Sequence, residues 1–412
     1  MAGVKKISNE LNFIAVVIIS ILPLIFILGS GLLNLFIIVI DLIFLFEIFL
    51  NRNFKYFKNN FFYSLILLWL ILIINLFFSI SFLDSLSRCL GFIRFVFFAF
   101  AINYYFYNSD KNKKLILKIW TISFLIITFD LIYEYIFGFN TLGFKSYMPG
   151  RLSGFFNQEL KIGHLYSAFL LSSLSFIYIY LNKIYFKKNS PILYIKNNII
   201  YFLFILFLFV SFIVGERSNL IKITLMMVIF LFFFEKKFFL KKILIIFLSV
   251  TILISIVLNN QNYKYRLWTM FLEPLIENPV LMVKNSNYGA HYKVALEVFN
   301  NNKFFGVGLK NYRKEVTKDI YSNNASIHPH QLHFEILSET GLFGYCSFLL
   351  FFIYNLSLVI KNYLKTKNIF QLSGILFVFV SLLPLIPSGS FFTSFGAALF
   401  WLNFGLMLPK RN

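Results

Sequence analysis

FFYSLILLWLILIINLFFSISF (61–82) runs for 22 residues without a charged side chain. A helix rising 1.5 Å per residue needs about 20 residues to cross a bilayer's hydrocarbon core. The stretch therefore reads as a membrane span. Its apolar residues are continuous rather than alternating, which argues against a closed β-barrel. Comparable runs occupy 11–29, 32–50, 86–106, 115–137, 160–181, 199–214, 217–234, 239–258, 336–360, 369–386 and 390–408. Of 412 residues, 59% are hydrophobic and only 13% charged, more apolar surface than a soluble domain can hide. The sequence predicts an all-α polytopic membrane protein with about twelve transmembrane helices.

Basic clusters set the orientation. They are Lys5 and Lys6; Arg52, Lys55 and Lys58; Lys111, Lys113 and Lys114; Lys183, Lys187, Lys188 and Lys196; Lys236, Lys237, Lys241 and Lys242; Lys361, Lys365 and Lys367; and Lys410 with Arg411. Threading the twelve spans puts every cluster on one side, which predicts cytoplasmic N- and C-termini. The first helix, flanked by charge and soon followed by another span, reads as retained rather than as a cleaved signal. The net charge of +21 then reflects topology and attraction to anionic membrane lipids, and calls for no nucleic acid partner. Cys89 and Cys346 lie in separate apolar runs and suggest neither a disulfide framework nor a metal motif. The expected organisation is one integrated membrane domain: helices one to nine over 1–258, an outer loop subdomain over 259–335, and three final helices over 336–412.

The opposite, periplasmic face collects the unusual residues. It receives GRLSGFFNQE (150–159), GERSN (215–219) and the large loop, in which 288–301 has helical spacing of Tyr292, Ala295, Leu296 and Phe299. Gly306 and Gly308 break the chain in FFGVGLKNYR (304–313). Arg151, Arg217, Arg266 and Arg313 fall on this face, and Arg88 and Arg94 lie early in the fourth helix, which starts there. Arginine carries a planar, permanently charged fork suited to phosphate, so its excess against the positive-inside trend asks for an anionic ligand. None of the histidines, His164, His291, His328, His330 and His333, is predicted to be cytoplasmic, and three of them fall in HPHQLHFEILSETG (328–341). Pro329 favours an extended approach and a fixed presentation of the His328 and His330 rings. A zinc site from His328, His330, His333 and Glu335 is the weaker reading, because HxH and HxxH are unspecific and the arginines repel a cation. No metal or other cofactor is expected.

HPHQLHFEILSETGLFG resembles the histidine motif of the bacterial O-antigen ligase and O-antigen polymerase superfamily, in which a histidine followed by Asn or Gln enters a helix ending in Glu-x-Gly. HYKVALEVFNNNKFFGVGLKNYR (291–313) is similar to the preceding family segment, GRLSGFFNQE to the Arg-x-x-Gly-x-Phe segment, and GERSN to the arginine turn. The four segments keep family order from 150 to 341. Gln331 stands where Asn is commoner, and Gln158-Glu159 replaces a frequent Pro-Asn. The resemblance implies a metal-independent glycosyltransferase of the bacterial inner membrane, working at its periplasmic face. Its donor would be a glycan on undecaprenyl diphosphate. A ligase passes the glycan to a lipid A–core sugar hydroxyl; a polymerase passes it to a second carrier-linked glycan.

Such a transfer needs a base for the acceptor hydroxyl and cations for the departing diphosphate. His330 is the expected base, with His328 second. Arg151 and Arg217 are the expected diphosphate ligands, Arg217 acting in catalysis, and Arg313, Arg88 and Arg94 are supporting partners. His291 and Glu339 complete the substrate-binding set. Glu335 and Glu339 either orient a histidine or stabilise the helix they begin. A secondary transporter or flippase would show two similar halves and mid-membrane charges; Asp41, Glu47 and Asp130 lie in apolar runs, but the outer loop has no counterpart in the first half.

Overall fold

The computed structural model describes residues 2–184, 192–234, 239–318, 320–321 and 326–410. Lys187, Lys188, Lys236, Lys237 and Arg411, counted among the basic clusters, lie outside them. The described residues are helical and contain no strand. Each predicted apolar run corresponds to helix. The first is bent by 58° between Lys5–Ser20 and Leu22–Leu28, and the fourth is interrupted at Phe92 between Phe82–Gly91 and Ile93–Asn108. Six helices are long and apolar enough to cross a membrane individually, and the bent pair makes a seventh candidate.

Other apolar helices are shorter than their runs, for physical reasons. The stretch 61–82 is helical only over Asn60–Leu76. Its remainder turns to meet the large loop, where Ile80 N donates to Val307 O at 3.0 Å. Ile369–Ser381 and Ser394–Met407 stop short of Pro384 and Pro387, which lack the amide hydrogen a helix needs and restrict the residue before them. The intervening segment 382–393 becomes part of the site.

Ile93–Asn108, Ile369–Ser381 and Ser394–Met407 form the most enclosed part of the bundle, with Phe98, Phe100, Val378, Trp401 and Leu402 fully buried. Phe239–Asn259 lies at the periphery and leaves most of its side chains uncovered. Polar groups inside the apolar layer are mostly bonded. Glu47 accepts from Tyr104 (3.1 Å) and Tyr105 (3.0 Å), and Asp130 accepts from Thr141 N (2.9 Å). Asp41 instead faces Arg94 electrostatically, with no hydrogen bond among the described residues.

The two ends of the bundle differ. At one, Asn51 bonds Ser8, Asn112 bonds Asn12, and Asn103 bonds the Leu408 carbonyl, which gathers several basic clusters with both chain ends. The motif loops meet at the other. Over the large loop, Asn287–Asn301 packs through Tyr292, Val294, Ala295 and Val298 against Val307, Tyr312 and Val316. The face is rotated from the sequence expectation: Leu296 is exposed and Val298 is buried in its stead.

Candidate functional site

HPHQLHFEILSETG starts as a turn and becomes helix at Leu332. Gln331 caps that helix, its Oε1 accepting from His333 N (2.7 Å) and Phe334 N (3.1 Å). An amide at this motif position therefore has a local structural use. Leu332–Thr366 kinks at Gly341, whose φ of 64° and ψ of −167° are open only to glycine. The turn Gly306-Val307-Gly308 fits into the kink. Val307 N donates to Ser338 O (3.1 Å), Gly308 N to Glu339 O (2.8 Å), and Leu342 N to Lys303 O (2.8 Å). A Cβ on Gly306 or Gly341 would collide with the opposing backbone.

The same turn docks on Phe82–Gly91: Ser85 Oγ donates to Leu309 O (2.8 Å), and Asn311 Nδ2 donates to Ser85 Oγ (3.0 Å). This docking brings Arg88 and Arg313 within electrostatic range of Glu335 and Glu339. Neither arginine makes a hydrogen bond or ion pair with another described residue, so both forks are available. Glu339 accepts Lys310 N at 3.0 Å through Oε1, while its buried Oε2 has no bonded partner among the described residues. Glu335 accepts from Ser390 Oγ and from Phe391 N (2.8 Å). Neither carboxylate bonds a histidine; both brace loops.

Three histidines assemble. The His328 and His330 ring centroids are 3.7 Å apart, and the His291 ring stacks on His330 at 5.2 Å. Approach to His330 is not simply extended. Its φ is 56°, a left-handed turn, and its carbonyl accepts from Ser388 N at 2.8 Å. His330 N donates to His328 Nδ1 (3.1 Å), and Ser326 N donates to His291 Nδ1 (3.3 Å). A ring nitrogen that accepts is unprotonated, so this pattern keeps both neighbours neutral. Burial drives the His330 proton affinity down, helped by His328 and His291, to a pKa of about 4. Burial also lowers His328, with His291 and Arg313 adding to the effect, and lowers His291. His333 turns away to Leu382 O (2.8 Å) and the Tyr345 hydroxyl (3.2 Å). With His333 and Glu335 engaged elsewhere, the four-residue cation set considered from the sequence is not brought together.

The second cluster is built on another glycine crossing. Gly150 and Gly215 both have positive φ, and a Cβ on Gly215 would land on the Gly150 carbonyl. Glu134, inside Asp110–Phe137, holds this loop by accepting Ser153 N (3.0 Å) and Gly154 N (2.8 Å). Arg151 is partly committed: its NH2 group lies 3.5 Å from Glu216 and donates to Leu160 O at 3.3 Å, while its buried Nε has no bonded partner among the described residues. His164 also reaches Glu216, at 3.4 Å. Arg217 is loosely held, with a 3.5 Å contact to Met270 O and its guanidinium 5.7 Å from the Phe271 ring centre. Arg266 ties the two motif loops by donating to Pro149 O and Gly215 O, each at 3.0 Å. Burial, then the charges of Arg151 and Arg217, weaken its hold on its proton. Arg151 and Arg217 thus both act on Arg266, while Glu216 pairs with Arg151, a concentration of positive charge that favours an anion. Arg94 lies beyond the break at Phe92, over Phe95 and facing Asp41, and stays within electrostatic range of Arg88.

The segment 388–395 touches both groups. Ser388 to Phe391 bond His330 and Glu335, while Phe395 packs on Phe156 (5.7 Å) and lies 5.7 Å from the Lys161 amine. Sequence reasoning missed this segment, and it missed Glu216, Arg266 and Glu134 as organisers. Their partners are backbone groups and residues far away in the chain, which leave no local pattern. The acidic residue inside GERSN was the one available signal.

Residues 202–349 match a family model described as O-antigen ligase. The matched stretch holds the GERSN turn, the large loop, the Gly-x-Gly turn and the histidine motif, and supports the O-antigen ligase and polymerase superfamily read from those segments. No curated protein matches the chain.

Proposed function

With the O-antigen ligase family's segment in the middle of this chain, whose activity is of the ligase or polymerase type, we propose that the chain is a ligase. It moves a glycan from undecaprenyl diphosphate to a sugar hydroxyl of lipid A–core, at the periplasmic face of the inner membrane. One observation carries the assignment of the base: His330 is kept neutral by burial, with His328 and His291 packed against it, beside arginines with few or no protein partners. If Nε2–H donates to Ser326 Oγ, 3.1 Å away, Nδ1 is left to receive a proton. The acceptor oxygen bonds to the anomeric carbon as the bond to the diphosphate oxygen breaks, and the hydroxyl proton passes to His330. Negative charge then grows on the diphosphate. Arg217, Arg313 and Arg88, whose forks have few or no protein partners, stabilise it more in the transition state than before. Arg151, paired with Glu216, is a positioning residue.

Deleting the gene and resolving surface glycolipid on gels tests the reading. Loss of all long chains, with polymer accumulating on the carrier, is the ligase result. A single repeat still attached to core, with chain length lost, overturns it in favour of a polymerase.

A further inference from the structure

Residues 264–283, KYRLWTMFLEPLIENPVLMV, have the composition of a buried segment but are not buried. No side chain between Lys264 and Asn285 is enclosed by protein. Tyr265 (59%), Ile276 (72%) and Val280 (75%) stand out, and Trp268, Met270, Leu275 and Leu281 are exposed as well. The segment is nonetheless ordered into consecutive helices, Lys264–Leu272, Glu273–Glu277 and Pro279–Asn285, which pack mainly against their neighbours in the chain. Such a surface in water would turn inward or bind a partner.

Where the segment attaches decides the partner. It follows directly on Phe239–Asn259, a helix long and apolar enough to span a membrane. At its root Tyr263 Oη donates to Ile213 O (2.9 Å), at the end of another apolar helix, and Arg266 bonds Pro149 O and Gly215 O. Its base is therefore fixed at the level where spans end. A tyrosine and a tryptophan near that root suit the boundary between headgroups and acyl chains. Lys264, Arg266, Glu273 and Glu277 interrupt the apolar surface too often for a span, but suit a helix lying in the interface.

We propose that 264–283 is an interfacial arm, seated in the headgroup–acyl boundary of the leaflet on the motif-loop side. Its partner is the glycerophospholipid surface. Beyond Asn285 the chain enters Asn287–Asn301, which carries His291, so the arm sets the height of the histidine cluster above the bilayer. The inference does not depend on the glycan-transfer reading, since its test uses no activity.

The test places an environment-sensitive fluorophore on Ile276→Cys, Val280→Cys and Lys293→Cys in a C346S background, with the protein in vesicles of phosphatidylethanolamine and phosphatidylglycerol. Lys293 is exposed on the outer side of its helix and serves as the aqueous reference. The arm positions are expected to emit at shorter wavelength than position 293 and to be quenched several-fold more strongly by brominated lipids. Equal emission and quenching at all three positions overturn the proposal, as does shielding of 276 and 280 from both lipid and aqueous quenchers, which would mean contact with protein. The unlabelled chain gives an independent reading. Trp120 and Trp401 are fully buried and Trp69 is half-buried with its indole bonded to Cys89 O, so Trp268 is the most exposed tryptophan, and brominated lipid should quench a component of emission that Trp268→Phe removes. Unchanged quenching in Trp268→Phe contradicts the arm.

Discussion

The two glycine crossings use the same device to different ends. At Gly150 and Gly215, and at Gly306 and Gly341, two backbones meet closely: a Cβ on Gly215, Gly306 or Gly341 would collide with the opposing backbone, and one on Gly150 would press on the Arg266 side chain. At the first crossing the charged side chains are bonded to the protein: Arg151 to Glu216 and Leu160 O, and Arg266 to two carbonyls. At the second, Arg88 and Arg313 keep their forks unbonded, Glu339 Oε2 has no bonded partner among the described residues, and three histidines cluster nearby. The comparison teaches that an arginine in a motif can be a strut or a hand. Those still lacking partners are the ones to assign to substrate. Arg217, loosely held at the first crossing, belongs with the second group in this respect.

The largest expected effect comes from His330→Asn. Asn tolerates the left-handed backbone that His330 adopts, so the fold should persist. Glycan transfer should fall by roughly 10²–10⁴-fold, the usual worth of a general base. The pH dependence follows from the same residue. His330 has a depressed pKa of about 4, so its neutral form is available throughout the neutral range, and the acid limb of the rate should lie well below the ordinary histidine value. Between that ordinary value and about 4 the unfolded chain binds the proton and the folded one does not. The contribution of His330 to stability is thus present above this window and is lost as pH falls through it. Rate–pH profiles of the wild type in vesicles check the first statement, and melting temperature against pH checks the second; a limb near pH 6.5 would mean a different base.

Next in size, Arg313→Lys and Arg217→Lys should each cost about tenfold or more in transfer through loss of fork geometry, with thermal stability little changed. Arg151→Lys should do the reverse. Breaking its pair with Glu216, whose side chain is only 13% exposed, should lower the melting temperature, at less than the roughly 3–5 kcal/mol of a fully buried pair. If Arg151→Lys stays stable and loses transfer while Arg313→Lys is unaffected, the contrast between the crossings is wrong. Gly215→Ala and Gly341→Ala should each destabilise the protein by about 1–3 kcal/mol or more through strain alone, measured as melting temperature in detergent. The smallest effect is expected for Ser390→Ala, which removes one hydrogen bond from Glu335 and leaves the Phe391 amide in place, about 1 kcal/mol.

Much of this architecture was legible because membrane spans announce themselves by length and apolarity alone. Each predicted run contains a helix, and the helix Asn287–Asn301 of the large loop follows from the spacing of Tyr292 and Ala295. Helix ends were less legible. Ser381 and Leu76 terminate their helices because of Pro384, Pro387 and a docking loop that no local pattern displays. At the site, residue types pointed to His328, His330, Arg217 and Arg313, and the structure brings His291 to the first two. His333 turns away to bond Leu382 O, and Arg94 faces Asp41 while staying within electrostatic range of Arg88. What the sequence concealed was commitment. Whether a guanidinium is free depends on carbonyls and carboxylates tens to hundreds of residues away, such as Glu216 for Arg151.

The central claim is that the neutral histidine cluster, and the arginines near it, face the compartment opposite the lysine-rich ends. Ile327 is exposed beside the cluster, so Ile327→Cys in a C346S background reports its side of the membrane. A membrane-impermeant thiol reagent applied to spheroplasts should label it fully before any lysis. Labelling that appears only after the reagent gains access to the cytosol would contradict the account.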